Sequence, residues 1–368
     1  MVPFLDLAAA TQEIRPALDD AVARVLSSGW FVLGREVDAF EQEFAGFVET
    51  RHCVGVGNGL DAIEFALRAL GVGVGDEVIV PSNTYVATWL AVTRIGAIVV
   101  PVEPDIQTYN IDPRRVEDAI GPRTRAIVAV HLYGRAADMG SLRDIATRRG
   151  LWLVEDAAQA HGASTADRPV GGLADAAAWS FYPTKNLGAL GDAGAVSTDD
   201  PGVADRVRLL RNYGSRVKYV NEVVGFNSRL DEIQAAVLRV KLACLPEWNA
   251  RRRSTARRYL AALADLPLVL PEEGEGEEHV WHLFVVRSAA RDRLQAHLTA
   301  HEVQTLLHYP VPPHLQDAYR SLGLHEGAFP IAETIHRECL SLPIGPHLDA
   351  EQVGAVVDAV RSFEFRAA

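Results

Sequence analysis

Lysine is nearly missing from this chain. Of its 36 Lys and Arg residues only Lys185, Lys218 and Lys241 are lysine, so arginine carries positive charge almost everywhere. Lysine at position 185 therefore asks for a reason beyond charge. Cysteine is as sparse. Cys53, Cys244 and Cys339 are odd in number, far apart and in no Cys-x-x-Cys pair, which argues against a disulfide framework or a zinc site and fits a reducing cytoplasm. Their ordinary role is that of small buried apolar side chains. No apolar run approaches the roughly 20 residues of a membrane span. The opening "MVPFLDLAAATQEIRPALDD" has early acids and no charged-then-apolar order, so it does not read as a signal peptide. There is no internal repeat. A net charge of -12 argues against a nucleic-acid or anionic-membrane binder, while leaving room for a local basic pocket.

What is present is alternation, in a chain of 368 residues long enough for two domains. "HCVGVGNG" reads as strand and glycine turn. "LDAIEFALRAL" reads as a helix, with Ile63, Ala66, Leu67 and Leu70 on one face. "EVIVPS", "AIVVPVE", "TRAIVAVHLYG", "LWLVEDAA", "AAAWSFYP" and "GAVSTD" read as strands, and "VATWLAVTRIG" and "SLRDIATRRG" as helices between some of them. Such alternation predicts an α/β fold with a mostly parallel sheet covered on both faces, and ligands beyond the carboxyl ends of its strands. After residue 228 comes a long helical stretch whose basic run is read as a solvated face. Pro246 within it is read as a break between a large domain (1–245) and a smaller C-terminal α+β domain (246–368). There "PEEGEGEEH" reads as a surface loop, "VWHLFVVRS" as a strand and "RDRLQAHLTAHEVQTLLHYP" as a helix. His297 and His301 are four apart on that helix. Without an evident third ligand they read as surface histidines rather than a metal clamp.

Three features carry chemistry. In "GVGNGLDAI" Asn58 and Gly59 open a helix after a strand, where free N–H groups and the helix dipole suit a phosphate; an ordinary cap and turn would look the same. In "LWLVEDAAQAHGA" Asp156 ends a strand, either capping a following helix or pairing with a buried cationic heteroatom. Gln159 is placed to reach the same ligand. In "SFYPTKNLGALGDAGAV" Lys185 is an amine that can form a Schiff base, which a guanidinium in practice cannot. Gly188, Gly191 and Gly194 behind it would let backbone approach a flat ligand. Phosphate site, carboxylate and lysine together are what pyridoxal phosphate requires.

These stretches, with "FVLGREVDAFEQEFA", "GDEVIVPSNTYVAT", "LRNYGS", "GFNSRLDEIQAAVL" and "HYPVPPHLQ", resemble the DegT/StrS family of sugar aminotransferases over nearly the whole chain. The resemblance implies a fold type I pyridoxal phosphate enzyme, with Lys185 and Asp156 catalytic and glutamate as donor. Asp156 would face the pyridine nitrogen and Gln159 the ring hydroxyl. Tyr85 would stack on the ring, and Ser180 with the Asn58–Gly59–Leu60 backbone would hold the phosphate. Asn227 would reach that phosphate from the neighbouring subunit of a homodimer. Some relatives carry histidine in place of the lysine and act as dehydratases; Lys185 favours amino transfer.

The branch that the chain looks most like acts on nucleotide-linked 3-keto-6-deoxyhexoses. There Lys218 and Tyr219 would lie near the pyrophosphate, and Tyr182, His308 and Tyr309 near the hexose. A structural histidine is an equal reading of His308. A 4-keto-sugar aminotransferase, an inosose aminotransferase and a non-catalytic regulator that binds cofactor are the alternatives.

Overall fold

A computed structural model describes residues 1–165, 168–274 and 279–365. Its central sheet has seven strands: β1 (His52–Val56), β2 (Glu77–Pro81), β3 (Ile98–Val102), β4 (Thr124–Val130), β5 (Trp152–Asp156), β8 (Ala176–Ser180) and β9 (Gly194–Thr198). A two-strand hairpin, β6 (Ser164–Thr165) with β7 (Arg168–Pro169), lies outside it. The order across the sheet is β1-β9-β8-β5-β4-β2-β3. Only β9 runs against its neighbours; every other pair is parallel.

The strands are apolar on both faces, as a doubly covered parallel sheet demands. Val54, Val78, Val128, Val154 and Ala178 point to one core, against the helices Gly59–Ala69, Val86–Arg94 and Pro201–Arg211. Their neighbours Cys53, Ala177, Trp179 and Ala195 face a second core with Phe40, Phe44 and Leu238. Ile127 and Leu153 face a third, beside the Met139–Arg149 helix.

A separate core joins β10 (Phe284–Arg287) and β11 (Cys339–Leu342), an antiparallel pair, to the helices Arg291–Ala300 and Ala350–Arg361. Val2 belongs to this core, so the chain's beginning packs with its C-terminal unit. Pro246 does not break the long helix. One helix runs from Glu232 to Leu263 through Pro246 and gives Leu238 to one core and Tyr259 to the other. Packing at both ends outweighs the single i→i−4 bond that proline removes. Of the acidic loop, residues 275–278 lie outside the described residues. Cys53 and Cys339 are buried and Cys244 half-buried, all as free thiols.

On the helix Arg291–Ala300, the His297 Nε2 lies 3.0 Å from the Ala359 carbonyl and 3.0 Å from the Ser362 hydroxyl. His301 bonds the His297 carbonyl. Among the described residues no helix is long and apolar enough to cross a membrane.

Gly194 opens β9 against the turn after β1. A Cβ there would lie 2.4 Å from the Asn58 carbonyl carbon and oxygen and 2.8 Å from the Trp179 oxygen. Backbone cannot yield as a flexible side chain can. Gly194→Ala is therefore expected to cost about 1–3 kcal/mol in denaturant unfolding.

Candidate active site

The carboxyl ends of β1, β5 and β8 and the start of β9 meet at one edge of the sheet. After β1, Asn58 caps the Gly59–Ala69 helix, its Oδ1 accepting from Asp61 N at 2.9 Å. The acid in this first turn is neutralised locally: Asp61 accepts from Asn58 Nδ2, Ser228 Oγ and Arg94. The Gly59 and Leu60 amides are left at the helix mouth, where a dianion is favoured. Ser180, at the end of β8, closes this mouth. A Cβ on Gly59 would sit 2.5 Å from Ser180 Cβ, so glycine is what lets the helix start and Ser180 form one cradle.

Asp156 ends β5 with its carboxylate buried. Oδ2 accepts from Thr88 Oγ1 at 2.8 Å and Oδ1 from Ala158 N at 3.2 Å. No helix occurs in residues 157–163, so Asp156 caps none. Burial raises its pKa; the Thr88 and Ala158 hydrogen bonds and the Lys185 charge oppose the rise. No cation forms a salt bridge with it among the described residues. A buried carboxylate without a cation is costly, and a ligand that brings one relieves it.

Gln159 is fixed from two sides. Its Oε1 accepts from Tyr133 N at 2.6 Å and its Nε2 donates to the Tyr309 hydroxyl at 3.0 Å. Tyr309 in turn lies 5.2 Å, centroid to centroid, from the half-exposed ring of Tyr85.

Lys185 follows β8 in a tight turn, its N–H donating to the Tyr182 carbonyl at 2.8 Å. Among the described residues its amine has neither a hydrogen bond nor a salt bridge. Burial lowers its pKa from 10.5 to about 8, and the Asp156 carboxylate works against that shift. The two groups thus feel each other's charge without touching. A ligand that took both would need an electrophile at one end and a protonated ring nitrogen at the other.

The glycines behind Lys185 answer to protein rather than to a ligand. A Cβ on Gly188 would meet the Pro183 oxygen at 2.5 Å, Gly194 faces Asn58, and Gly191 faces the Gln234 side chain. His308 bonds Ser341 Oγ through Nδ1 at 2.8 Å, and burial, then Lys185, lowers its pKa to about 4. It is anchored in the fold and also near the amine. Tyr182 is exposed beside Lys185. Lys218 and Tyr219 lie on an exposed arm where the Lys218 ammonium sits 5.1 Å over the Tyr219 ring. Asn227, also exposed, bridges Asn212 and precedes Ser228, which bonds Gly57 N and Asp61. Thr88, Tyr133 and the buried His161 were not singled out by the sequence. Thr88 and Tyr133 matter only through partners that folding brings to them. His161 packs on Trp179 and Phe181, and burial, then Lys185, lowers its pKa to about 3.

The chain is 56% identical over 366 residues (99% of this chain, 97% of the relative) to the dTDP-3-amino-3,4,6-trideoxy-alpha-D-glucose transaminase of Streptomyces venezuelae. It is 58% identical over 362 residues (98% and 99%) to the erythromycin biosynthesis sensory transduction protein EryC1 of Saccharopolyspora erythraea. A crystal structure of S. venezuelae DesV superposes with a TM-score of 0.97 at 56% identity, over 100% of this chain and 99% of that one. A Bacillus subtilis structure described as having bound cofactor PMP gives 0.90 at 34% identity, over 98% and 84%. The DegT/DnrJ/EryC1/StrS aminotransferase family model matches residues 12–361, and the chain belongs to that family.

Proposed function

We propose that this enzyme uses pyridoxal phosphate to move the amino group of L-glutamate to carbon 3 of a dTDP-linked 3-keto-6-deoxyhexose, giving a 3-amino sugar nucleotide. One observation carries the chemistry. The buried Asp156 carboxylate and the half-buried Lys185 amine feel each other's charge, and neither has a salt bridge among the described residues. The sugar is carried by the named relatives, which include a dTDP-3-amino-3,6-dideoxy-alpha-D-galactopyranose transaminase of Aneurinibacillus thermoaerophilus, 50% identical over 365 residues (99% of this chain, 100% of the relative).

When bound, the cofactor supplies an electron sink and carries the amino group between two half-reactions. The chain's residues do the rest. The helix mouth at Gly59 and Leu60, with Ser180, holds the phosphate. Asp156, kept in place by Thr88 and Ala158, holds a proton on the pyridine nitrogen. Gln159 orients the ring hydroxyl, and Tyr85 covers the ring. The Lys185 amine, with its pKa near 8, takes the proton from the amino acid's α-carbon near neutral pH and returns it at the other side of the exchange. Tyr182, His308 and Tyr309 line the approach for the hexose.

The protein works in the cytoplasm as a homodimer. Val217, Tyr219, Val220 and Val224 are 64, 87, 56 and 91% exposed in one protomer, an apolar arm of the kind a partner covers. The arm and the Asn227 that follows it enter the neighbouring protomer's site, with Lys218 and Tyr219 beside the nucleotide pyrophosphate. We take the division near residue 246 as a functional one: the cofactor contacts come from residues before the middle of the long helix, and His308 and Tyr309 beyond it join Tyr182, Lys218 and Tyr219 at the substrate.

The test is the visible spectrum of the reconstituted protein. Glutamate alone is expected to bleach the band, and a dTDP-linked 3-keto-6-deoxyhexose to restore it faster than a 4-keto isomer or an inosose. A band that glutamate leaves unchanged defeats the proposal. Faster recovery with the 4-keto sugar redirects it to the other carbon.

A further inference from the structure

One of the three lysines has no place in the site. Lys241, on the Glu232–Leu263 helix, is buried, and no carboxylate pairs with it among the described residues. Its Nζ donates to the Gly188 carbonyl at 2.7 Å. That carbonyl belongs to the segment that carries Lys185. Two more residues of the same helix grip the same segment. Gln234 Oε1 accepts from Leu190 N at 2.8 Å, and Asn249 Oδ1 accepts from Asn186 Nδ2 at 2.9 Å.

The spacing is regular. Positions 234, 241 and 249 are about two turns apart each time and share a helix face. Their partners Leu190, Gly188 and Asn186 are alternate residues running the opposite way. The helix face thus holds each second residue of the segment immediately after Lys185. The middle contact uses an ammonium whose burial is costly. Elsewhere this chain prefers arginine. A lone carbonyl in a tight space suits a compact point donor better than a planar guanidinium fork. Gly188 keeps that space tight, since a Cβ there would strike the Pro183 backbone at 2.5 Å.

We propose that Lys241 is a positioning residue for Lys185. Through the Gly188 carbonyl, with Gln234 and Asn249 on either side, it fixes where the Lys185 amine is delivered. The inference rests on the function proposed above for Lys185.

The test compares wild type with Lys241→Met and Lys241→Gln in the full chain. Without cofactor, amide exchange at Ala189 and Leu190 is expected to rise about 10-fold or more in Lys241→Met, while β5 stays protected. With cofactor, the variant keeps the visible band. Its glutamate half-reaction slows about 10- to 100-fold, the scale of a hydrogen bond from a charged donor, with unchanged half-saturation. Lys241→Gln, an uncharged donor, recovers part of the rate. Unchanged exchange at Ala189 and Leu190 overturns the proposal. So does a loss spread over the whole sheet with a lowered melting temperature, which marks a merely structural lysine. Wild type that glutamate fails to bleach would sink the aminotransferase reading alone, because the exchange comparison still decides what Lys241 holds in place.

Discussion

Lys185→Ala is expected to fold, to lose the visible band of covalently held cofactor, and to lose turnover by roughly 10⁴-fold or more. Folding survives because the amine has no hydrogen bond or salt bridge to give up among the described residues. The surrounding turn is held by backbone instead: Lys185 N–H to the Tyr182 carbonyl, and Ala189 N–H to the Phe181 carbonyl, both at 2.8 Å. Turnover collapses because both the covalent anchor and the proton carrier are one atom. A pH measurement on the unsubstituted, cofactor-free protein tests the same amine. Burial favours the neutral form, so the rate at which an amine reagent modifies Lys185 should level off above about pH 8. A rate still climbing towards 10.5, the ordinary lysine value, would show that the amine is not desolvated as described. Lys185→Arg would sharpen the comparison, since it keeps charge and length but cannot act as the nucleophile.

The legible part of this site was a combination of features, each of which has an ordinary meaning when taken alone. A lysine in an arginine-rich chain, an aspartate closing an apolar strand and the Asn58–Gly59 pair opening a helix each carried a local signal, and the fold brings all three to the carboxyl ends of the sheet's strands. The alternating apolar runs likewise correspond to the strands of the central sheet. Other residues carried no such signal. Thr88 is one more polar position on a helix until β5 is laid nearby and its hydroxyl meets Asp156, 68 residues on. Tyr309 reads in the sequence as a sugar contact; that its hydroxyl also accepts from Gln159, across 150 residues, is visible only in the fold. Pro246 is a helix breaker in an isolated segment. Here tertiary packing overrides the local preference, because the helix is buried in two cores. Gly188 and Gly194 suggested a ligand and turned out to face backbone. A glycine's need for space is visible in sequence; what fills the space is not.

Asp156→Asn is the second large effect expected, and its two readouts should move in opposite directions. The substitution keeps volume and an acceptor for the Ala158 N–H, and its amide N–H can donate to the Thr88 hydroxyl, which turns to Thr84, so the site's shape survives. It removes the charge that holds a proton on the cofactor's ring nitrogen, and preorganised charge of this kind is worth about 10²–10³-fold in rate. The glutamate half-reaction should slow by that factor while the visible band remains. Stability should rise. Burial holds the Asp156 pKa above its ordinary 3.8, so without cofactor the ionised carboxylate costs stability once the pH exceeds the unfolded value, and an amide removes that cost. A higher melting temperature for the cofactor-free variant, beside a slower half-reaction, would mark Asp156 as a group kept for chemistry at the expense of the fold. Thr88→Val gives the calibration. It removes one hydrogen bond to a charged acceptor and should slow the half-reaction about 10-fold, with the charge still in place. If Asp156→Asn bleached with glutamate at the wild-type rate, the carboxylate would have no part in holding the ring, and the ligand placed between Asp156 and Lys185 would have to be turned round or replaced.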